Sequence, residues 1–261
     1  MRYHPINSSR TSPRIAFLEH RSMNAVESLS IEKRESLLWI RFERAEKANA
    51  LTAGMMEGAA AALGRAASDA SVRAILVIGA GEKVFSGGVD VREKPADGDM
   101  AAHRKRRSAA LSAFMNGVLD TPKPVIAVLN GIASGGGAML ALLADARVAV
   151  DSAELSLPEI NLGMPTFPGA AIAMHVGGLA LATDLVQTGR RMPAGEALAR
   201  GLLTSVVSRA ELEQEAMRVA ALFVQKDAAA FAANKQWLNR GIKGALVDAR
   251  VAGEEHHKNA K

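Results

Sequence analysis

The sequence predicts an α/β fold, and three features predict it. Short continuous apolar runs read as buried strands, Ala- and Leu-rich segments of helical period lie between them, and glycines mark where one gives way to the other. No segment repeats at a fixed period, which argues against a solenoid. Residues 1–30, rich in Ser, Arg, Asn and Pro, show no sustained period and are expected to form a weakly ordered extension. Met23 is an alternative start within it. The Arg- and Ser-rich composition is shared with transit peptides, but no amphipathic helix emerges and Glu19 interrupts it, so a cytoplasmic protein ranks first. Leu37-Leu-Trp-Ile-Arg-Phe42 reads as a strand, and Thr52 to about Ser68 as a helix with Thr52 as its N-cap. A buried strand, Arg73-Ala-Ile-Leu-Val-Ile78, leads into a glycine-rich loop over Gly79 to Asp90. A helix over Ala101 to Leu119 and a second buried strand, Pro124-Val-Ile-Ala-Val-Leu129, follow. Gly135-Gly-Gly137 opens a helix, short strands are expected near Arg147 to Val150 and Glu154 to Leu157, and the last sixty residues are almost wholly helical in pattern. The chain thus divides into the extension, a core over 31–200 and a C-terminal helical region over 201–261.

Composition narrows the function. With 261 residues, 49% hydrophobic and 23% charged, the chain is long enough to bury a core without staples. The absence of cysteine excludes disulfides, thiolate metal sites and cysteine nucleophiles, and it is compatible with a reducing compartment. Apolar runs such as Ala74 to Ile78 and Ala138 to Leu143 are far shorter than the ~20 residues of a membrane-spanning helix, so no membrane partner is expected. The net charge of +5 is concentrated in Arg2, Arg10, Arg14 and Arg21 and in the run Arg104-Lys-Arg-Arg107. Aromatics make up 4% of the chain and Tyr3 is the single tyrosine, so the basic-and-aromatic pattern of a nucleic-acid partner is missing. His4, His20, His103, His175, His256 and His257 show no metal-ligand spacing, and no metal is expected.

Three glycine-rich stretches compete for a chemical role. Gly79-Ala-Gly81-Glu-Lys-Val84 follows a strand but lacks the third glycine of a dinucleotide fingerprint, and reads as a strand-ending turn. No phosphate-binding Gly-x-x-x-x-Gly-Lys loop and no Gly-x-Ser-x-Gly elbow is present. Phe85-Ser-Gly-Gly-Val-Asp90 and Gly131-Ile-Ala-Ser-Gly-Gly-Gly137 make sense together, because each offers a backbone N–H and the second opens a helix. Two converging N–H groups, one backed by a helix dipole, stabilise an oxyanion developing on a carbonyl. On the residues alone, a pair of plain tight turns is the leading reading.

Four motifs shift that balance. Arg44-Ala-Glu-Lys-Ala-Asn-Ala-Leu-Thr52, Phe85-Ser-Gly-Gly-Val-Asp90, Lys123-Pro-Val-Ile-Ala-Val-Leu-Asn-Gly-Ile-Ala-Ser-Gly-Gly-Gly-Ala138 and Leu157-Pro-Glu-Ile-Asn-Leu-Gly163 resemble, in order and spacing, the crotonase superfamily of enoyl-CoA hydratases and isomerases. The resemblance covers roughly residues 31 to 245. It implies a spiral of ββα units with a C-terminal helical portion, a homotrimer or homohexamer, and an acyl-CoA thioester as substrate, with coenzyme A belonging to that substrate and no separate cofactor. By motif position, the N–H groups of Val89 and Gly136 would hold the thioester oxygen. Coenzyme A would lie along Ala48, Ala50 and Leu51 and along the loop carrying Ser86, Gly88, Val89, Asp90, Val91 and Arg92, with Gly135, Gly136 and Pro158 also lining the site. Asp145, Lys235 and Asn239 match positions expected to be structural, and the Arg104 to Arg107 run is usually a solvated face, with the CoA phosphates as its second reading.

The acids decide the subtype. Hydratases of the family carry two glutamates, and at the first of these positions this chain has Met139, so Glu159 alone remains. Hydration uses two carboxylates, whereas moving a double bond needs one base and an oxyanion site. The family's isomerases likewise keep the Pro-Glu glutamate without the earlier one. Leu162-Gly-Met-Pro-Thr-Phe-Pro168 also resembles their apolar continuation, and Phe167 stands where dienoyl-CoA isomerases place a further acid. Glu159 is therefore expected to be the catalytic base, in a pocket lined by Met139, Met164 and Phe167 that raises its pKa. A hydratase is the runner-up. Another crotonase reaction, such as decarboxylation or thioester hydrolysis, and a non-catalytic acyl-CoA-binding homologue stay open, the tyrosine-dependent chemistries being disfavoured by Tyr3 standing alone.

Overall fold

The computed structural model describes residues 28–259, so Met23, Tyr3 and most of the expected extension lie outside the described residues. Strand β1 (Leu29–Arg34) begins in the last two residues of the stretch read as extension, paired antiparallel with β2 (Leu37–Phe42) across a turn at Glu35. Its alternation Leu29, Ile31 against Ser30, Glu32 is too short to stand out in the sequence, and pairing with β2 supplies the missing order.

Beyond β2 the main sheet is parallel, running through β3 (Ala74–Gly79), β5 (Val125–Leu129), β7 (Ala146–Val150) and β10 (Ser205–Val207) in the order β1-β2-β3-β5-β7-β10. β3 and β5 are central and covered on both faces, which is why they read as unbroken apolar runs. A second sheet, β4 (Val84–Ser86), β6 (Ile132–Ser134), β8 (Glu154–Ser156) and β9 (Arg191–Pro193), lies in that order, its first three strands parallel. The chain therefore repeats one unit. β1-β2 leads into α1 (Ala53–Ser68), β3-β4 into α2 (Met100–Asp120), β5-β6 into α3 (Gly136–Leu143) and β7-β8 into α4 (Phe167–Thr188). Two of the small strands, β4 and β6, fall within stretches that the sequence presents only as glycine-rich loops. α5 (Ala194–Ala199), α6 (Leu212–Val224) and α7 (Ala228–Asn259) complete the C-terminal portion, which is helical apart from β10 and a short 3-10 turn.

α1 starts where the sequence places it, since Thr52 Oγ1 accepts the Met55 N–H at 3.2 Å. Its buried positions Met55, Met56, Ala59, Ala62, Leu63 and Ala66 form one stripe, which packs on α2, where Gly117 allows Leu63 to approach closely. Phe42 meets Phe85 and Phe114 edge-on, at 5.7 and 6.3 Å between ring centres, and this joins the two sheets to α2. Each such fully buried side chain contributes roughly 1.5–3 kcal/mol relative to exposure.

α4 corrects one expectation. Its 22 residues are long and apolar enough, by length and composition, to cross a membrane, which a search for unbroken apolar runs does not register. Here the helix breaks at Gly178 (φ 75°) and packs against α3 and α7, with about a third of its apolar stretch buried.

Candidate active site

Strands β4, β6 and β8 run parallel side by side, so the loops after them emerge at one edge of the small sheet. Val89 follows β4 by three residues, Gly136 follows β6 by two, and Glu159 follows β8 by three. The central position of β6 places Gly136 between the other two. A Cβ built on Gly136 would lie 3.0 Å from Val89 Cγ2 and 3.5 Å from the Val89 backbone nitrogen, and one built on Gly135 would lie 3.1 Å from Glu159 Oε1. Three residues far apart in sequence thus meet because their strands are neighbours.

Among the described residues, neither candidate donor's N–H has an acceptor. Leu51 and Val89 form an isolated parallel bridge in which Leu51 N–H donates to Gly88 O (2.8 Å) and Asp90 N–H to Leu51 O (2.9 Å). That pattern turns Val89's own N–H away from the bridge. Gly136 is the first residue of α3, where an N–H has no acceptor within its own helix. Gly88 and Gly135 are required here. Their φ angles are 96° and 51°, and a Cβ on Gly88 would lie 2.9 Å from Ser134 O.

The segment before the first donor is stitched by Asn49, which is fully buried. It accepts the Arg44 N–H at 3.0 Å and donates to Ala80 O and Val84 O at 2.9 and 2.7 Å. Ser86 Oγ donates to Asn49 O, and Gly87 N–H to Ala48 O, so the segment of Ala48, Ala50 and Leu51 and the loop after β4 form one unit. Ala48, Val91 and Arg92 are exposed on it, whereas Leu51 and Ser86 are buried. The Asp90 side chain faces protein, accepting from Arg44 Nη1 and from the Arg92 N–H, both at 3.0 Å, and these donors hold its carboxyl below the ordinary aspartate range against the opposing effect of burial. Its role is therefore to hold the loop together.

Glu159 sits in a 3-10 turn, Pro158–Leu162. Its Oε2 is shut off from solvent and has no hydrogen-bond partner among the described residues, and burial pushes its pKa above the ordinary glutamate value. Met139 is 5% exposed, and its methyl end lies 3.1 Å from a Cβ built on Gly169, beside Thr166. The position of the hydratases' first acid is thus filled by thioether packed on α4. Met164 and Phe167 line a cavity of about 420 Å³ with Ile160, Pro165, Ala170 and Val186, in the gap between the 3-10 turn and α4, and Glu159 and Met139 are not among the residues lining it.

The remaining expectations sort cleanly. Asp145 pairs with the buried Lys235 (2.6 Å), with Val125 N–H also donating to Asp145 Oδ2, and Asn239 Nδ2 donates to Leu119 O, contacts that tie α7 to the main sheet and to α2. In the basic run, Arg106 pairs with Glu57 and Arg107 Nη1 donates to Asp90 O at 3.1 Å, while Arg104 and Lys105 are exposed. Sequence reading missed Arg44, which holds the loop from outside through Asp90, Glu93, which ties its end to the start of α1, and Leu111, which approaches Gly136. Their contacts span long stretches of chain, and no local pattern signals them.

The family model for enoyl-CoA hydratase/isomerase matches residues 32–260. The chain belongs to that family. It is 32% identical over 226 residues to a short-chain-enoyl-CoA hydratase of Clostridium acetobutylicum, covering 86% of this chain and 85% of that protein. It is 38% identical over 213 residues to carnitinyl-CoA dehydratase of Escherichia coli K12, covering 80% and 79%. Among solved structures it resembles an enoyl-CoA hydratase from Mycobacterium avium subsp. paratuberculosis K-10, with a TM-score of 0.77 at 28% identity over 87% of this chain and 92% of that one. The sheets and C-terminal helices described above are the fold of this crotonase family, and the protein is an enzyme of the enoyl-CoA hydratase/isomerase family.

Proposed function

We propose that this family member shifts the double bond of a 3-enoyl-CoA into conjugation, giving the 2-enoyl-CoA. The observation that carries the reading is the half-buried Glu159 carboxyl beside the start of α3, whose Oε2 is closed to solvent and has no hydrogen-bond partner among the described residues, with Met139 where a second acid would stand. In this reading Glu159 takes a proton from C2, and the electron pair spreads onto the thioester oxygen as a dienolate. The N–H groups of Val89 and Gly136 hold that oxygen. The same carboxyl then returns the proton at C4 and is regenerated as carboxylate. A base whose pKa is lifted toward operating pH suits such a shuttle, since it both takes and gives the proton. Coenzyme A lies along Ala48, Ala50 and Leu51 and the exposed rim of the loop at Val91 and Arg92, as part of the substrate. A homotrimer or dimer of trimers in the cytoplasm completes the reading.

Hydration is the second reading, favoured by the names of the similar proteins, a hydratase and a dehydratase. The test is a 3-enoyl-CoA carrying deuterium at C2. Transfer of part of the label to C4, lost in Glu159→Gln, is expected. Formation of a 3-hydroxyacyl-CoA from the conjugated product, at a rate comparable with isomerisation, contradicts the proposal.

A further inference from the structure

One face of α2 runs along the loop that follows β4. His103, Arg107 and Leu111 are spaced four apart and so share that face, and they meet three successive points of the candidate site. His103 Nε2 lies 3.5 Å from Glu93 Oε2, Arg107 Nη1 donates to Asp90 O, and Leu111 Cδ1 lies 3.6 Å from a Cβ built on Gly136. The far end of the loop hangs on α1, where Glu93 Oε2 accepts the Ala53 N–H at 3.1 Å at the open start of the helix. His103 is 6% exposed, and its Nε2 is buried with no aligned hydrogen-bond partner among the described residues. A buried nitrogen in that state costs free energy, and catalytic contacts of this kind are often long until a ligand tightens them.

We propose that Glu93 and His103 are positioning residues for the oxyanion site. Glu93 ties the loop of residues 89–93 to the start of α1, His103 backs that carboxylate from α2, and together they set the direction of the Val89 N–H. The loop transmits the restraint because it is short and internally closed, with Arg92 N–H on Asp90 Oδ1 at 3.0 Å and Val89 locked to Leu51 by the bridge before it. The proposal rests on the reading of Val89 as an oxyanion donor.

The test uses the full chain with Glu93→Ala, Glu93→Gln and His103→Ala, and butyryl-CoA as a non-reacting probe. Infrared difference spectroscopy reads the thioester carbonyl stretch of the bound probe, calorimetry reads its affinity, and turnover is measured on a 3-enoyl-CoA. The wild type is expected to lower the stretch. Glu93→Ala and His103→Ala should return at least half of that shift toward the free value and lower kcat about tenfold, below the ~10²–10³-fold cost of deleting a donor outright, with butyryl-CoA affinity changed less than about threefold. Glu93→Gln, which keeps an oxygen for the Ala53 N–H, should retain most of the shift. His103→Ala removes no contact with the α1 terminus, so it carries the test if Glu93→Ala loses its fold. A full shift in both alanine variants overturns the proposal. No shift in the wild type overturns the oxyanion reading itself, and the positioning role with it.

Discussion

Two half-buried carboxyl groups at opposite ends of the strands show what separates structure from chemistry in this molecule. Asp145 stands just before β7, at the amino ends of the main-sheet strands, and Glu159 just after β8, at the carboxyl edge of the small sheet. Asp145 Oδ2 receives the Val125 N–H at 2.8 Å and the Lys235 ammonium at 2.6 Å, and Lys235 also donates to Lys123 O. This cluster ties α7 to the beginning of β5. Glu159 Oε2 receives nothing. Burial pulls the Lys235 pKa down, with Asp145 opposing, whereas burial of Glu159 is opposed only by its own backbone and lifts its pKa. A carboxylate satisfied by donors gains little from taking a proton. One left bare is poised to take it.

The sharpest way to break this comparison is to neutralise each group in turn. Glu159→Gln should lower isomerisation by ~10²–10⁴-fold, the usual contribution of a general base, while calorimetry shows acyl-CoA binding retained. Asp145→Ala should do the opposite. It strands the buried Lys235 ammonium and is expected to cost about 3–5 kcal/mol in denaturant unfolding, with kcat unchanged wherever the protein remains folded. Met139→Glu restores a second acid on α3 and should raise hydration of a 2-enoyl-CoA by at least ~10-fold, within the range of one acid–base group, while lowering Tm because a carboxyl replaces packed thioether against Gly169 and Thr166.

The smallest expected effect is on stability against pH. With its pKa raised on folding, Glu159 favours the folded state most below the ordinary glutamate range, and this contribution is lost as pH rises through the raised value. Glu159→Gln removes that dependence. Its Tm should therefore overtake that of the wild type as pH climbs through this window and hold a constant advantage above it, measured by calorimetric scans across the acid range. A Tm difference that does not vary with pH would show that Glu159 has found a partner.

The sequence made the frame legible where structure is local. The buried strands Ala74–Gly79 and Val125–Leu129 announce themselves as apolar runs, and the Thr52 cap and the helix it opens are both visible from a few adjacent residues. The four motifs also single out Val89, Gly136 and Glu159, which parallel β4, β6 and β8 bring to one edge of the small sheet. What stayed hidden depends on neighbours distant in the chain. Val84–Ser86 and Ile132–Ser134 have three residues each, too few to show a period, and become strands only because they pair with one another and, through Ile132–Ser134, with Glu154–Ser156. Glu93 and His103 lie ten residues apart with nothing local to join them, and Met139 turns out to pack on α4 because Gly169 leaves room for its methyl group.

In the proposed reading, the Glu159 carboxyl, with Met139 rather than a second acid on α3, commits this enzyme to moving a double bond. One ultraviolet assay of the purified wild type tests it most directly, with a 3-enoyl-CoA and crotonyl-CoA measured side by side at the same enzyme concentration. Isomerisation exceeding hydration by at least ~100-fold is the predicted result, since a missing acid–base partner costs about that much. Hydration of crotonyl-CoA at a rate equal to isomerisation, with Met139 in place, would contradict it.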